Sequence, residues 1–139
     1  MSKKLLEPGL PRGFEDSFGK SLIIEKKIKE VIEKNFLKYG YTEIKTSPFE
    51  YSENIGGFLT DDLNDFSKDI FTFDDKDRKI SLRFDLSAPL ARVVSEKYLE
   101  FAFPFRRFQI AEVFRNETSK TGRGRYRSFL QGDFDQIFF

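Results

Sequence analysis

The chain has 139 residues, no cysteine, no histidine and a net charge of +1. That length suits one domain with a buried core, and the missing residue types exclude disulfides, thiolate–metal sites, imidazole bases and histidine–zinc ligation. A charge so near zero excludes attraction of nucleic acid by the molecule as a whole, so any such contact must come from a local patch.

Taken in order, residues 1–19 carry Pro8, Gly9, Pro11, Gly13 and Gly19 and read as an irregular lead-in. The lysines at the start have no apolar run behind them, so neither a signal peptide nor a membrane span is expected, and a soluble cytoplasmic protein is the default. Ser21 to Tyr39 predicts a helix: Ile24, Ile28, Val31, Ile32, Phe36 and Tyr39 follow its period, with Glu25–Lys29 and Glu30–Lys34 at i,i+4. Gly40 suits the left-handed residue that ends it. Tyr41 to Thr46 reads as a strand stopped by Pro48, and Tyr51 to Asp69 as an acidic loop with Gly56–Gly57 as its flexible point.

Ile70 to Phe73 and Lys79 to Phe84 predict two short strands joined through the polar run Asp74 to Arg78. Ser87 is the expected N-cap of a helix reaching about Glu100, with Pro89 in its first turn. Phe105 to Arg115 predicts a long strand, Glu117 to Gly124 a polar loop, and Arg125 to Phe139 a returning strand. Without a βαβ rhythm, the fold class is α+β, a mostly antiparallel sheet flanked by helices. The apolar end at Phe138–Phe139 looks cut, as though neighbouring strands lie beyond it.

The chemistry concentrates in Phe114–Arg115–Asn116–Glu117 and in Gly124 to Asp135. Residues two apart share a strand face, so Arg125, Arg127 and Phe129 point one way, and Gln131, Asp133 and Asp135 continue the row. Guanidinium groups clamp phosphate oxygens, a phenyl ring offers a stacking face, and carboxylates hold an ammonium. A row of cation, ring and acid therefore suits a ligand with a polyphosphate, a flat ring and an amine. The alternative at any single residue is an ordinary sheet face with cross-strand ion pairs.

This hairpin resembles motif 2 of class II aminoacyl-tRNA synthetases: an aromatic residue, Arg, any residue, Glu, a variable loop, then Arg and, four residues on, Phe. Ser81 to Arg92 is similar to the "LR-x-D-L-T-x-P-x-A-R" signature of histidyl-tRNA synthetases, and Gly124 to Asp135 to their "GRYR-x-F-x-Q-x-D-x-D". Pro11–Arg12–Gly13 with Asp16 resembles the family's N-terminal "RG-x-x-D". The helix from Ser21, its following strand and Pro48 look like motif 1, which in this class builds a homodimer interface. Ser87 stands where threonine is common, Phe14 where a threonine is frequent and Phe138 where glycine is frequent.

The resemblance implies activation of histidine by ATP, with Mg2+ on the phosphates, and transfer to tRNA(His). It implies that Arg115 binds the α-phosphate and stabilises charge there as the catalytic residue, that Glu117 reads the adenine edge, that Arg125 holds the γ-phosphate and that Phe129 stacks on adenine. Asp85, Gln131 and Asp135, assisted by Ser87, would hold the α-ammonium of histidine. Lys120 and Arg123 would lie near the tRNA acceptor end, and no residue is expected to ligate a metal. Residues 1–139 would form part of a catalytic domain, with motifs 1 and 2 present and the third motif and anticodon-binding domain absent, so the segment alone is expected to be inactive. Two rivals fit as well: a histidine-sensing regulatory subunit of ATP phosphoribosyltransferase, which shares the fold, and a non-catalytic dimerisation fragment.

Overall fold

The computed structural model describes residues 7–59, 69–116 and 126–138, with only the backbone described for 56–59. After an irregular stretch, helix α1 runs Lys20–Lys38, one residue from the expected bounds at each end, and Gly40 closes it at φ 76°. Strand β1 is only Thr42–Glu43, shorter than expected. The chain then follows its neighbour by other means: the Ile44 N–H donates to the Phe108 carbonyl at 3.0 Å, and the buried Thr46 hydroxyl meets the Gln109 amide at 3.1 Å.

Strand β2, Phe49–Tyr51, leads directly into helix α2, Ser52–Leu59. An acidic loop with Gly56–Gly57 as its flexible point was expected from Tyr51 to Asp69, and glycine itself disfavours helix. Packing overrides that preference: Ile55 is buried, the Ser52 hydroxyl lies 2.7 Å from that of Ser81, and Glu53 pairs with Arg78. Strands β3, Thr72–Asp75, and β4, Arg78–Leu82, form a hairpin with Asp75 opposite Arg78. Its turn is thus two residues, with Lys76 at φ 51°. Helix α3 runs Ser87–Lys97 and tightens into a 3-10 turn, Tyr98–Glu100. The long strands β5, Phe105–Phe114, and β6, Ser128–Ile137, complete the described residues.

The strands form two three-stranded sheets, β1-β5-β6 and β2-β4-β3. Every pairing is antiparallel except β1 with β5, as the α+β expectation has it. Arg83, just past β4, ties the sheets together: its N–H donates to the Pro48 carbonyl at 2.9 Å and its carbonyl accepts from the Phe114 N–H at 3.0 Å. Its buried guanidinium donates to the Glu112 and Thr46 carbonyls at 2.7 and 3.1 Å. Burial lowers the Arg83 pKa below its ordinary value, against the opposing influence of Glu112 and Glu50.

Alternation along the β5–β6 hairpin gives it two unlike faces. On one, Phe108 and Phe134 receive Phe36 of α1, with ring centroids 5.3 and 4.9 Å away. On the other, Phe105 and Ile137 join Leu90 and Val94 of α3, with Ile44, Phe101 and Phe103 around them. The rest of that second face is the candidate site.

Candidate functional site

The register of β5 with β6 sets Arg107 opposite Asp135, Gln109 opposite Asp133, Ala111 opposite Gln131 and Val113 opposite Phe129. Residues paired across antiparallel strands share a face, so Phe129, Gln131, Asp133 and Asp135 form one row, as their spacing predicted. Arg115 lies one residue past β5, and its N–H donates to the Arg127 carbonyl at 2.8 Å, which extends the ladder and fixes where the guanidinium starts. That guanidinium sits 4.4 Å from the Phe84 ring centroid and 5.0 Å from that of Phe129, a cation held beside two rings. Its Nε is buried without a hydrogen-bond partner.

The crossing at Arg83 delivers the next residues to this face. Phe84 meets Arg115, and Asp85 follows at the mouth of α3. The Asp85 carboxylate accepts the Ala88 N–H at 3.1 Å, so it does the capping that was expected of Ser87. Ser87 is the first helical residue instead, and its hydroxyl reaches Asp133 at 3.5 Å. Arg115, Phe129, Asp85, Ser87, Gln131 and Asp135 therefore gather on one side of the hairpin. Glu117, Lys120, Arg123 and Arg125 lie outside the described residues.

Two features depart from the sequence reading. Arg127 does not extend a row of free cations. Its N–H donates to the Gly13 carbonyl at 2.7 Å, its guanidinium donates to the Arg12 carbonyl at 3.4 Å, and its centre lies 4.5 Å from the Phe71 ring and 5.7 Å from that of Phe14. It clamps the N-terminal segment onto the hairpin. The acidic end of the row is not free either, because Arg107, fully buried, pairs with Asp133 at 3.2 Å and with Asp135. Neither Arg107 nor Phe84 was singled out from the sequence. Arg107 looks like one of several scattered cations until the register sets it across from Asp135.

A cavity of about 660 Å³ lies between the hairpin and α1, with Glu25, Lys29, Glu112 and Ser128 in its walls and Phe129 at its edge. Its polar groups satisfy one another: Glu25 with Lys29, Glu112 with Ser128, and Glu15 with Tyr126, whose pKa that hydrogen bond raises. On the other face the Arg115 guanidinium adjoins the Phe84 and Phe129 rings, and Asp133 and Asp135 share the buried Arg107. Among the described residues no three carboxylates, thiols or imidazoles gather as a metal-holding group, and no helix is long and apolar enough to cross a membrane.

Comparison with known proteins bears on the family and the fold. Residues 13–132 match the family model described as Histidyl-tRNA synthetase. A histidine–tRNA ligase of Pelagibacter ubique is 52% identical over 132 residues, 95% of this chain and 28% of that protein. One from Clostridium tetani is 36% identical over 137 residues, 99% of this chain and 30% of its own length. Among solved structures, histidyl-tRNA synthetase from Nostoc sp. PCC 7120 superposes with a TM-score of 0.79 at 26% identity, covering 94% of this chain and 29% of that one. A Bacillus halodurans protein described as an ATP phosphoribosyltransferase regulatory subunit/histidyl-tRNA synthetase also gives 0.79, at 25% identity, over 96% of this chain and 33% of that one. The chain thus spans about a third or less of the proteins it resembles.

Proposed function

The chain belongs to the histidyl-tRNA synthetase family, and from that premise we propose that it supplies the motif 1 and motif 2 portion of a catalytic domain. The whole enzyme activates histidine with ATP and transfers it to tRNA(His). The observation that carries this reading is the shared face of the hairpin, on which Arg115 adjoins Phe129 at one end and Asp85, Gln131 and Asp135 lie toward the other.

The histidine carboxylate attacks the α-phosphorus of ATP. A P–O bond forms to the amino acid, the bond to the leaving oxygen breaks, and pyrophosphate departs with its electron pair. The nucleophile is already ionised, so no protein base is required, which suits a chain without histidine or cysteine. Arg115 offers its guanidinium where charge builds on the α-phosphate, and Phe129 offers its ring to adenine. Asp85, Gln131 and Asp135, with the Ser87 hydroxyl, accept hydrogen bonds from the α-ammonium, so binding orients the carboxylate for attack. Glu117 reads the adenine edge and Arg125 holds the γ-phosphate. Lys120 and Arg123 meet acceptor-end phosphates of tRNA without reading sequence. Mg2+ is assigned to the phosphates rather than to a protein cage. The exposed Ile24, Ile28 and Val31 of α1 form the homodimer surface, and the setting is cytoplasmic.

The regulatory-subunit reading has one observation in its favour, the equal TM-score of the Bacillus halodurans protein, whose name carries both roles. A histidine sensor, however, has no use for a guanidinium set beside a stacking ring at the phosphate end. Thermal melting with ATP and with histidine separates the three readings. A synthetase segment is raised in Tm by both ligands, a sensor by histidine alone and a dimerisation fragment by neither. Arg115→Ala should remove the ATP shift and keep the histidine shift. In ATP–pyrophosphate exchange the 139 residues alone should turn over at most in traces, and a rate equal to that of a complete ligase would refute this division of the site.

A further inference from the structure

We propose that Arg107 is a positioning residue for the amino-acid end of the site: a buried guanidinium that holds Asp133 and Asp135 side by side and sets how much negative charge the substrate ammonium meets. This rests on the reading of Asp135 as an ammonium ligand. Arg107 touches no substrate in this scheme and acts only through the two carboxylates.

The case begins with register. Arg107 lies directly across from Asp135, and Asp133 is two residues earlier on the same strand and therefore on the same face. Two carboxylates in one row repel each other, and more so in a partly desolvated place. The Arg107 side chain is wholly removed from solvent while those of Asp133 and Asp135 remain 25% and 39% exposed. The cation thus forms the floor and the acids form the wall. One Arg107 nitrogen, Nη2, reaches both carboxylates, which couples their orientations, and Ser87 approaches Asp133 from the rim at 3.5 Å.

The charge balance gives the cluster a specific job. One guanidinium beside two carboxylates leaves these three groups with one excess negative charge. Asp85, the other acid of the proposed ammonium site, brings the total to two. Without Arg107 the three acids would present three negative charges, and these would also repel the substrate carboxylate that must approach the phosphate. A buried charge is tolerated only where it is paired, so the guanidinium and the two acids form a mutually dependent unit. The Arg107 atoms Nε and Nη1 are buried without hydrogen-bond partners. The pair with the two aspartates is therefore what holds this guanidinium in place.

The test is equilibrium titration of the 139-residue chain with L-histidine and, separately, with ATP, for wild type, Arg107→Met, Arg107→Lys and Asp135→Asn. Arg107→Met should weaken histidine roughly tenfold or more, the scale of a lost hydrogen bond to a charged group, and leave ATP unchanged. Arg107→Lys keeps the charge but changes the reach and shape of the group that bridges the two acids, so it should fall between wild type and Arg107→Met. Retained ATP binding shows that a variant is folded. If Arg107→Met fails to fold, Arg107→Lys decides alone: weaker histidine with unchanged ATP supports the proposal, and unchanged histidine overturns it. A purely structural role would move both ligands together, and that result also overturns it. If Asp135→Asn loses histidine while Arg107→Met binds like wild type, the positioning role is wrong and the ammonium site stands. If wild type shows no histidine binding, or Asp135→Asn has no effect, the ammonium reading falls and takes this proposal with it.

Discussion

Gly13 shows how a single residue ties the start of the chain to the hairpin. Its φ of 84° lies where side chains are strained, and a Cβ there would sit 2.6 Å from Cγ of Arg127 and 2.7 Å from Cδ. The Gly13 carbonyl meanwhile accepts the Arg127 N–H at 2.7 Å, so Arg127 cannot retreat without breaking a backbone bond. Its carbonyl in turn accepts the Arg115 N–H, which links Gly13 to the position of the proposed catalytic arginine. Gly13→Ala should cost about 1–2 kcal/mol, read as a lower midpoint in urea unfolding. An unchanged midpoint would contradict the close approach. The Arg-Gly pair that resembles the family's N-terminal signature thus has a physical reason in this chain: only glycine lets the segment lie against Arg127.

At the scale of elements, α3 is locked to the second sheet by one ion pair. The Arg92 guanidinium donates to both carboxylate oxygens of Glu50 on β2, at 2.6 and 2.9 Å, and to Glu96 at 3.3 Å. The Glu50 side chain is only 4% exposed. The hydrogen bond to Glu50 is the main reason the Arg92 pKa is raised, with burial opposing it. Removing Arg92 would leave an unpaired buried carboxylate, so Arg92→Ala should destabilise by about 2–3 kcal/mol. Glu50→Gln, which leaves a cation that is 32% exposed partly to solvent, should cost less. Chemical denaturation of both variants checks the order, and equal losses would mean that the pair works through geometry rather than charge. Since α3 begins at the Asp85–Ser87 end of the site, this pair also steadies the proposed amino-acid pocket.

For the whole molecule, the informative feature is a helix with no buried residue. Helix α1 places Phe36 against the hairpin but leaves Ile24, Ile28 and Val31 more than half exposed, and an apolar stripe of that kind favours burial against a partner. As the proposed dimer surface, it predicts that the chain sediments as a dimer and that Ile28→Asp shifts it to a monomer with an unchanged far-ultraviolet spectrum. A wild-type monomer at high concentration would contradict that assignment.

Elements with a local cause were legible beforehand. The helical period of Ile24 to Phe36, the stop at Gly40 and the alternation in β5 and β6 need no distant partner, and the row of Phe129, Gln131, Asp133 and Asp135 follows from strand periodicity alone. Arg115 and Phe129 were singled out by their resemblance to motif 2, and the hairpin sets them side by side. What only the tertiary structure decided depends on residues far apart in the chain. Burial of Ile55 and the contact of Ser52 with Ser81 of β4 accompany a helical α2 despite its glycine pair, and the Arg83 crossing carries Phe84 to Arg115 and leaves Asp85 at the start of α3. The register, which no local pattern encodes across a loop, brings Arg107 under the aspartates. Periodicity records which way a side chain points, and only the folded chain determines what it meets there.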